Sequence, residues 1–263
     1  MIETNIFKLE IRRNLKANLI WSISIGLSMI LVVVLYPLVK DMYQMLPAEL
    51  EPFLESFGGL PDNVTEYFAT EGAMMYQIFG AIFAGLLGFN AIARDEKEKT
   101  VEGVYTLPIS RTKFFVSKVL AITLNITIFS VLVTILTLVG FIFVNDGFMF
   151  LEFIIFTFFN TLMLIFIGYL GLILASLTKV NTSQLIAIII PIPLYIIFMI
   201  STLTDSEILK ALKHITPFTF CNPAEIIKAD MNIEYISLII YLLIVIVGLF
   251  IANIRFKKRE FIV

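Results

Sequence analysis

The chain has 263 residues, a formal net charge of −2, 59% hydrophobic residues and a mean hydropathy of +0.95. A soluble globular chain averages about 45–50% apolar residues. Here the excess gathers into charge-free runs of about 20 residues or more, enough for a helix to cross about 30 Å of hydrocarbon. Composition thus excludes an ordinary soluble domain and gives an all-α polytopic membrane protein, while the single cysteine, Cys221, excludes an internal disulfide.

Residues 1–18, MIETNIFKLEIRRNLKAN, mix charged and apolar side chains. The apolar run after them is long enough to span, so no cleavable signal sequence is expected. Six transmembrane helices are expected: 19–39, 73–93, 114–144, 148–177, 183–203 and 235–254. The third and fourth are longer than the hydrocarbon requires and must tilt or extend beyond it. Between them lies Asn145-Asp146-Gly147, a tight-turn signal.

Segments 40–72 and 204–234 then fall on one side, and 1–18, 94–113 and 255–263 on the other. In 40–72, Leu46, Leu50, Phe53, Leu54 and Phe57 recur at helical spacing and predict a short amphipathic helix at the interface. It would serve either as a cap over the bundle or as a substrate gate. In the fifth span Pro191 and Pro193 should break or kink the helix, as a hinge or as a static bend.

Six spans put both termini on one side. The segments of that side, with the short 178–182 connection included and the middle one counted through Lys118, hold 15 of the 19 lysines and arginines but only 7 of the 21 acidic residues. Basic residues flanking spans stay cytoplasmic, so both termini and the segment after the second span are expected in the cytoplasm.

The middle of every expected span lacks Asp, Glu, Lys, Arg and His. Such residues cost roughly 2.5–3.5 kcal/mol on insertion scales and mark ion or proton paths; their absence argues against an ion-coupled transporter or a pump with its own proton relay. The milder Gln77, Asn90, Asn125, Asn160 and Gln184 either hydrogen-bond between helices, sit at the interface or line a pore. The sequence has no G-x-x-x-x-G-K-[ST] loop, no H-E-x-x-H and no Cys/His cluster at zinc spacing. Its one histidine, His214, reads as a surface or interfacial residue, and the N-x-[ST] triplets at Asn63, Asn125 and Asn181 read as chance. No catalytic role is expected.

One segment breaks the pattern. From Arg94 to Glu102 charges alternate, and Asp95/Lys99 and neighbouring pairs favour a helix modestly. Val101, Val104 and Tyr105 fall at i, i+3 and i+4 and make a short apolar stripe. Pro108 disfavours helix at Leu107. Ser110 or Thr112 can cap the next helix, with Arg111, Lys113 and Lys118 snorkelling at its edge. A charged rod with one apolar stripe suits docking in a groove of another protein.

The stretch EKTVEGVYTLPISRTKFFVSKVLA resembles the signature of the permease subunits of ABC type-2 ATP-binding-cassette exporters, at Glu98, Thr100, Glu102, Pro108, Ser110, Arg111 and Lys118. Lys99 stands where that family usually has glycine, and Gly103 where leucine is common. IFKLEIRRNLKANLIW is similar to the family's basic entry segment along the membrane surface, although its apolar residues form no clean helical stripe. ITPFTFCNPAEII is similar to its external segment before the last span, and FKKREFIV to its closing tail.

The resemblance implies a permease domain over 1–263, with an N-terminal cytosolic interfacial segment, six spans and a cytosolic coupling helix between spans two and three. This chain would form half of a pathway with a second copy or a related permease, in the membrane of a bacterial or archaeal cell. Two ATPase subunits on separate chains would carry the ATP and magnesium; no cofactor is expected here, and no nucleic acid. Glu98, Thr100, Glu102, Val104 and Tyr105 would contact the ATPase, while Pro108, Ser110 and Arg111 would fix the joint to the third span.

The fifth span would lie near the translocation path. Related permeases move lipids, glycans, drugs and antimicrobial peptides. Met74, Met75, Tyr76 and Phe79 would either suit an amphipathic cargo or pack between helices. The alternative is a scaffold or regulatory subunit that binds an ATPase and moves nothing; a membrane-embedded enzyme is disfavoured by the missing catalytic groups.

Overall fold

The computed structural model describes residues 3–45, 60–98, 109–144, 146–179, 182–204, 206–228 and 231–258. Its α-helices are α1 (Thr4–Gln44), α2 (Val64–Tyr67), α3 (Ala73–Lys97), α4 (Arg111–Val144), α5 (Phe150–Leu177), α6 (Pro191–Leu203), α7 (Glu207–Ala211) and α8 (Tyr235–Lys258). Six stretches are long and apolar enough to cross a membrane: Thr4–Tyr43, Val64–Asp95, Arg111–Val144, Phe150–Leu177, Gln184–Leu203 and Tyr235–Lys258. The described residues contain no strand. The protein is an all-α polytopic membrane protein, as the hydropathy pattern predicts.

Two helices reach further than the apolar runs alone suggest. The 41 residues of α1 make one helix of about 60 Å, so the entry segment and the first span are a single rod. Its buried face runs through Ile6, Glu10, Asn14, Asn18, Ser22, Ile25, Met29, Val33 and Tyr36, at steps of three or four. That face is polar in its first half, which is why its apolar residues form no stripe there.

At the other end, α2 joins α3 through a π-helical turn, Phe68–Gly72, which lengthens the second span toward its start. The wider turn sets Phe68 among Phe141, Phe153 and Phe156, edge-on at 5.7, 5.4 and 5.9 Å between ring centroids.

Packing pairs α1 with α4, and α3 with α5, along their lengths. Glycine sets the second distance. A Cβ on Gly88 would lie 1.8 Å from the carbonyl oxygen of Gly168, and one on Gly171 would lie 2.4 Å from that of Gly85. Backbones this close exclude any side chain at the crossing, the small-residue contact that replaces the hydrophobic drive between helices in lipid.

Expected breaks appear with identifiable causes. The fifth span is a 3₁₀ stretch, Gln184–Ile189, followed after Ile190 by α6. Pro191 and Pro193 fall in the first turn of α6, where backbone N–H groups lack intrahelical partners anyway and proline costs little. The turn before α5 uses Gly147 at φ +68°. Asn63 caps α2 by accepting from the backbone N–H groups of Thr65 and Glu66 at 2.9 and 3.0 Å. The Asn63 triplet thus has a structural reading as a helix cap. The predicted amphipathic helix at 46–57 lies outside the described residues, as does Asn181.

The segment after α6 folds back into the bundle. Thr216, Phe218, Phe220, Cys221, Ile226 and Ile227 are buried. Gln77, fully buried on α3, donates to the Cys221 carbonyl at 2.8 Å, and the Tyr241 hydroxyl donates to the Ile215 carbonyl. Irregular backbone inside the packed bundle is tolerated because neighbouring side chains meet its polar groups. Half-buried His214 shares a hydrogen bond with Ser237 at 3.1 Å. Among the other polar span residues, Asn125 accepts from Asn18 through its backbone carbonyl at 2.7 Å, a helix-to-helix bond of the expected kind.

Candidate functional site

The charged segment leaves α3 and returns into α4, and at that end of the bundle three helices converge on five ionisable side chains. Ser110 starts α4: its hydroxyl accepts from the Lys113 N–H at 3.3 Å, and its carbonyl from the Phe114 N–H at 3.1 Å. Lys118 lies eight residues further, about 12 Å along the axis, on the side facing α1 and α3. Its ammonium binds Glu10 of α1 at 2.8 Å and forms a short ion pair with Asp95 of α3. Arg13 of α1 reaches Asp95 and Glu98 at 2.7 Å each, and Glu10 at 3.5 Å.

Lys118, Glu10 and Asp95 are buried at 1%, 4% and 6% exposure, whereas the Glu98 side chain is half open. The network is therefore a dry core with one wet arm. Asp95 sits in the last turn of α3, where the partial negative charge of the helix end opposes a carboxylate. Two cations from neighbouring helices overcome that opposition. The Lys118 ammonium also stands 4.9 Å over the Phe114 ring. Beneath the ions the polar face of α1 continues, Asn14 donating to the Glu10 carbonyl at 2.9 Å and the Ser22 hydroxyl to the Asn18 carbonyl at 2.7 Å.

The last helix closes the same end. Arg111 donates to the Lys257 carbonyl at 2.6 Å, near the end of the last span. Phe256 stacks on Phe114, 5.7 Å between centroids and 3° between planes, and touches Phe115. Arg111 therefore ties the start of the third span to the end of the sixth.

Of the residues singled out from sequence, Glu98, Ser110 and Arg111 are brought to this junction, and Thr100, Glu102, Val104, Tyr105 and Pro108 lie outside the described residues. Lys118 corrects the expectation that it snorkels: the α1 packing closes over it and supplies Glu10, so it points inward. Glu10, Arg13 and Asp95 were not singled out as site residues. For Glu10 the signal was the four-residue recurrence of polar side chains in the entry segment, Glu10-Asn14-Asn18-Ser22, which marks a buried helix face when the partner helix is also polar at its end; Arg13 and Asp95 carried no such signal.

Chemically the junction can transmit force or position. Its carboxylates are held by ammonium and guanidinium groups, and no array of three or more His, Cys, Asp or Glu with metal-holding geometry occurs among the described residues.

Compared with known families, residues 4–261 match the model described as ABC-2 family transporter protein. No curated protein matches the chain significantly.

Proposed function

The chain belongs to the ABC-2 transporter family, and we propose that it is the permease half of an ATP-driven exporter in the cell membrane, with both termini in the cytoplasm. Two such halves, identical or related, enclose the pathway, and two ATPase subunits on separate chains supply ATP hydrolysis with its magnesium. The ATPase docks on the charged segment 94–113 through Glu98, Thr100, Glu102, Val104 and Tyr105, and Pro108, Ser110 and Arg111 form the joint. The observation that carries this reading is the buried ionic junction. Asp95 and Glu98, where the segment departs, are held through Arg13 and Lys118 to the first and third spans, so a push on the segment is passed to two spans at once. The break before Pro191 serves as the hinge beside the pathway.

The test uses the ATPase that co-purifies with the chain. Glu102→Arg is expected to insert normally, keep its helical content and lose the substrate-stimulated part of ATP hydrolysis. Full stimulation in that variant would overturn the docking assignment. Solute movement in reconstituted vesicles separates the permease from a subunit that only binds an ATPase.

A further inference from the structure

At the same end of the bundle, α5 and α8 part to leave a cleft of about 650 Å³ lined by Ser176, Leu177, Thr178, Ile254, Arg255 and Lys258. Leu177 and Ile254 are exposed at 54% and 39% and form an apolar wall. Arg255 and Lys258, one turn apart on α8, are exposed, and neither has an ion-pair partner among the described residues. Where α5 stops, the Ser176 and Thr178 hydroxyls donate back to the carbonyls of Leu172 at 2.9 Å and Ala175 at 3.4 Å, so the cations are the groups left to meet an anion. Thr178 closes that helix by donating its N–H to the Leu174 carbonyl at 3.0 Å.

We propose that this cleft binds the phosphodiester headgroup of an anionic phospholipid, with its acyl chains lying against Leu177 and Ile254. Only the assignment of that lipid to the cytosolic leaflet rests on the orientation given above. The position is right for such a ligand: α5 ends here and the apolar run of α8 gives way to basic residues, so polar headgroup and hydrocarbon meet at one level. A guanidinium grips phosphate oxygens through paired N–H donors, and a lysine one turn away adds a mobile point charge.

The C-terminus of α5 borders the cleft and opposes an anion, but it amounts to only about half a charge and falls off within a turn. Arg255 and Lys258 carry full charges on movable stems. The apolar wall distinguishes the site from one for free phosphate, which has nothing to place against Leu177 and Ile254. Basic pockets between spanning helices recognise anionic headgroups by this combination.

The test is lipid retention by the full-length chain. Protein reconstituted in mixed vesicles of phosphatidylglycerol and phosphatidylcholine is released into mild detergent, and retained lipid is counted by native mass spectrometry. Phosphatidylglycerol should be retained selectively, and excess inorganic phosphate should not displace it. Arg255→Gln/Lys258→Gln should weaken retention about thirtyfold, the product of two near-surface cations. Thr178→Trp, which fills the cleft and keeps both cations, should weaken it as well.

Lys8→Gln/Lys16→Gln removes two exposed charges from α1 and should leave retention unchanged. Equal retention of the two lipids, displacement by phosphate, or equal loss in the α1 control would each overturn the proposal. None of these outcomes bears on ATPase coupling.

Discussion

Lys118→Met is the sharpest probe of the ionic junction. Methionine keeps the apolar stem and removes the ammonium from a site 1% exposed. Asp95 would retain Arg13 at 2.7 Å, but Glu10 would keep only the 3.5 Å contact to the same guanidinium, inside a pocket that leaves it 4% exposed. Breaking a buried pair from one side costs about 3–5 kcal/mol, because a buried charge loses its partner. For a chain of this size that corresponds to a fall in melting temperature of roughly 6–20 °C.

Trp21, the only tryptophan, lies 5.8 Å from the Phe83 ring of α3 and reports the α1–α3 contact by fluorescence during heating in detergent. Lys118→Met/Glu10→Gln should recover much of the loss, since it also removes the charge left unpaired. Glu98→Gln, at the half-exposed arm, should cost under about 1 kcal/mol. An unchanged transition in Lys118→Met, or a double variant no better than the single, would refute the claim that burial makes this pair matter.

Gly88→Ala should separate α3 from α5 and destabilise by about 1–3 kcal/mol or more, because the new Cβ meets the Gly168 carbonyl oxygen at 1.8 Å. Gly248→Ala should cost clearly less in the same melt, its nearest neighbour being the flexible end of Ile173. Asn63→Ala removes the α2 cap and should lower stability by about 1 kcal/mol, with Asn63→Ser restoring much of it and Asn63→Asp less, since Asp would face the Glu66 carboxylate that the Asn63 amide now donates to. Cys221 is buried, and burial pushes its thiol pKa well above the ordinary range. Maleimide labelling should therefore be slow in the folded protein and fast after denaturation; rapid labelling of the native chain would contradict the inward packing of that segment.

The spans, the turn at Gly147 and the break at Pro191 were legible because each depends on local chemistry: charge-free length, a φ only glycine takes easily, a missing N–H. The reach of α1 and the inward turn of Lys118 were not. A hydropathy window reads the entry segment as amphiphilic and imperfect, because it scores Glu10, Asn14 and Asn18 as solvent-facing. Their burial depends on α4 bringing Lys118 and Asn125 to the same face, a pairing across more than 100 residues that no local pattern encodes. The infolded segment around Phe218 and Cys221 escaped for the same reason, since its depth is set by Gln77 and the ring of Tyr195, 5.1 Å from Phe218.

The junction and the clear span interiors are two sides of one constraint. A lone lysine within hydrocarbon is costly, yet Lys118 lies only a few residues into the third span, beside the point where α3 leaves and α4 enters. There the partner carboxylates come from α1 and α3, so the charges are matched only when all three helices have packed together. Apolar contacts alone would let α1 slide along α4 at small cost, because lipid is as apolar as the helix face. An ion pair with defined partners penalises such a slip by leaving a charge unmatched. The polar half of the α1 face therefore fixes the register of the first and third spans, at the end where the charged segment begins.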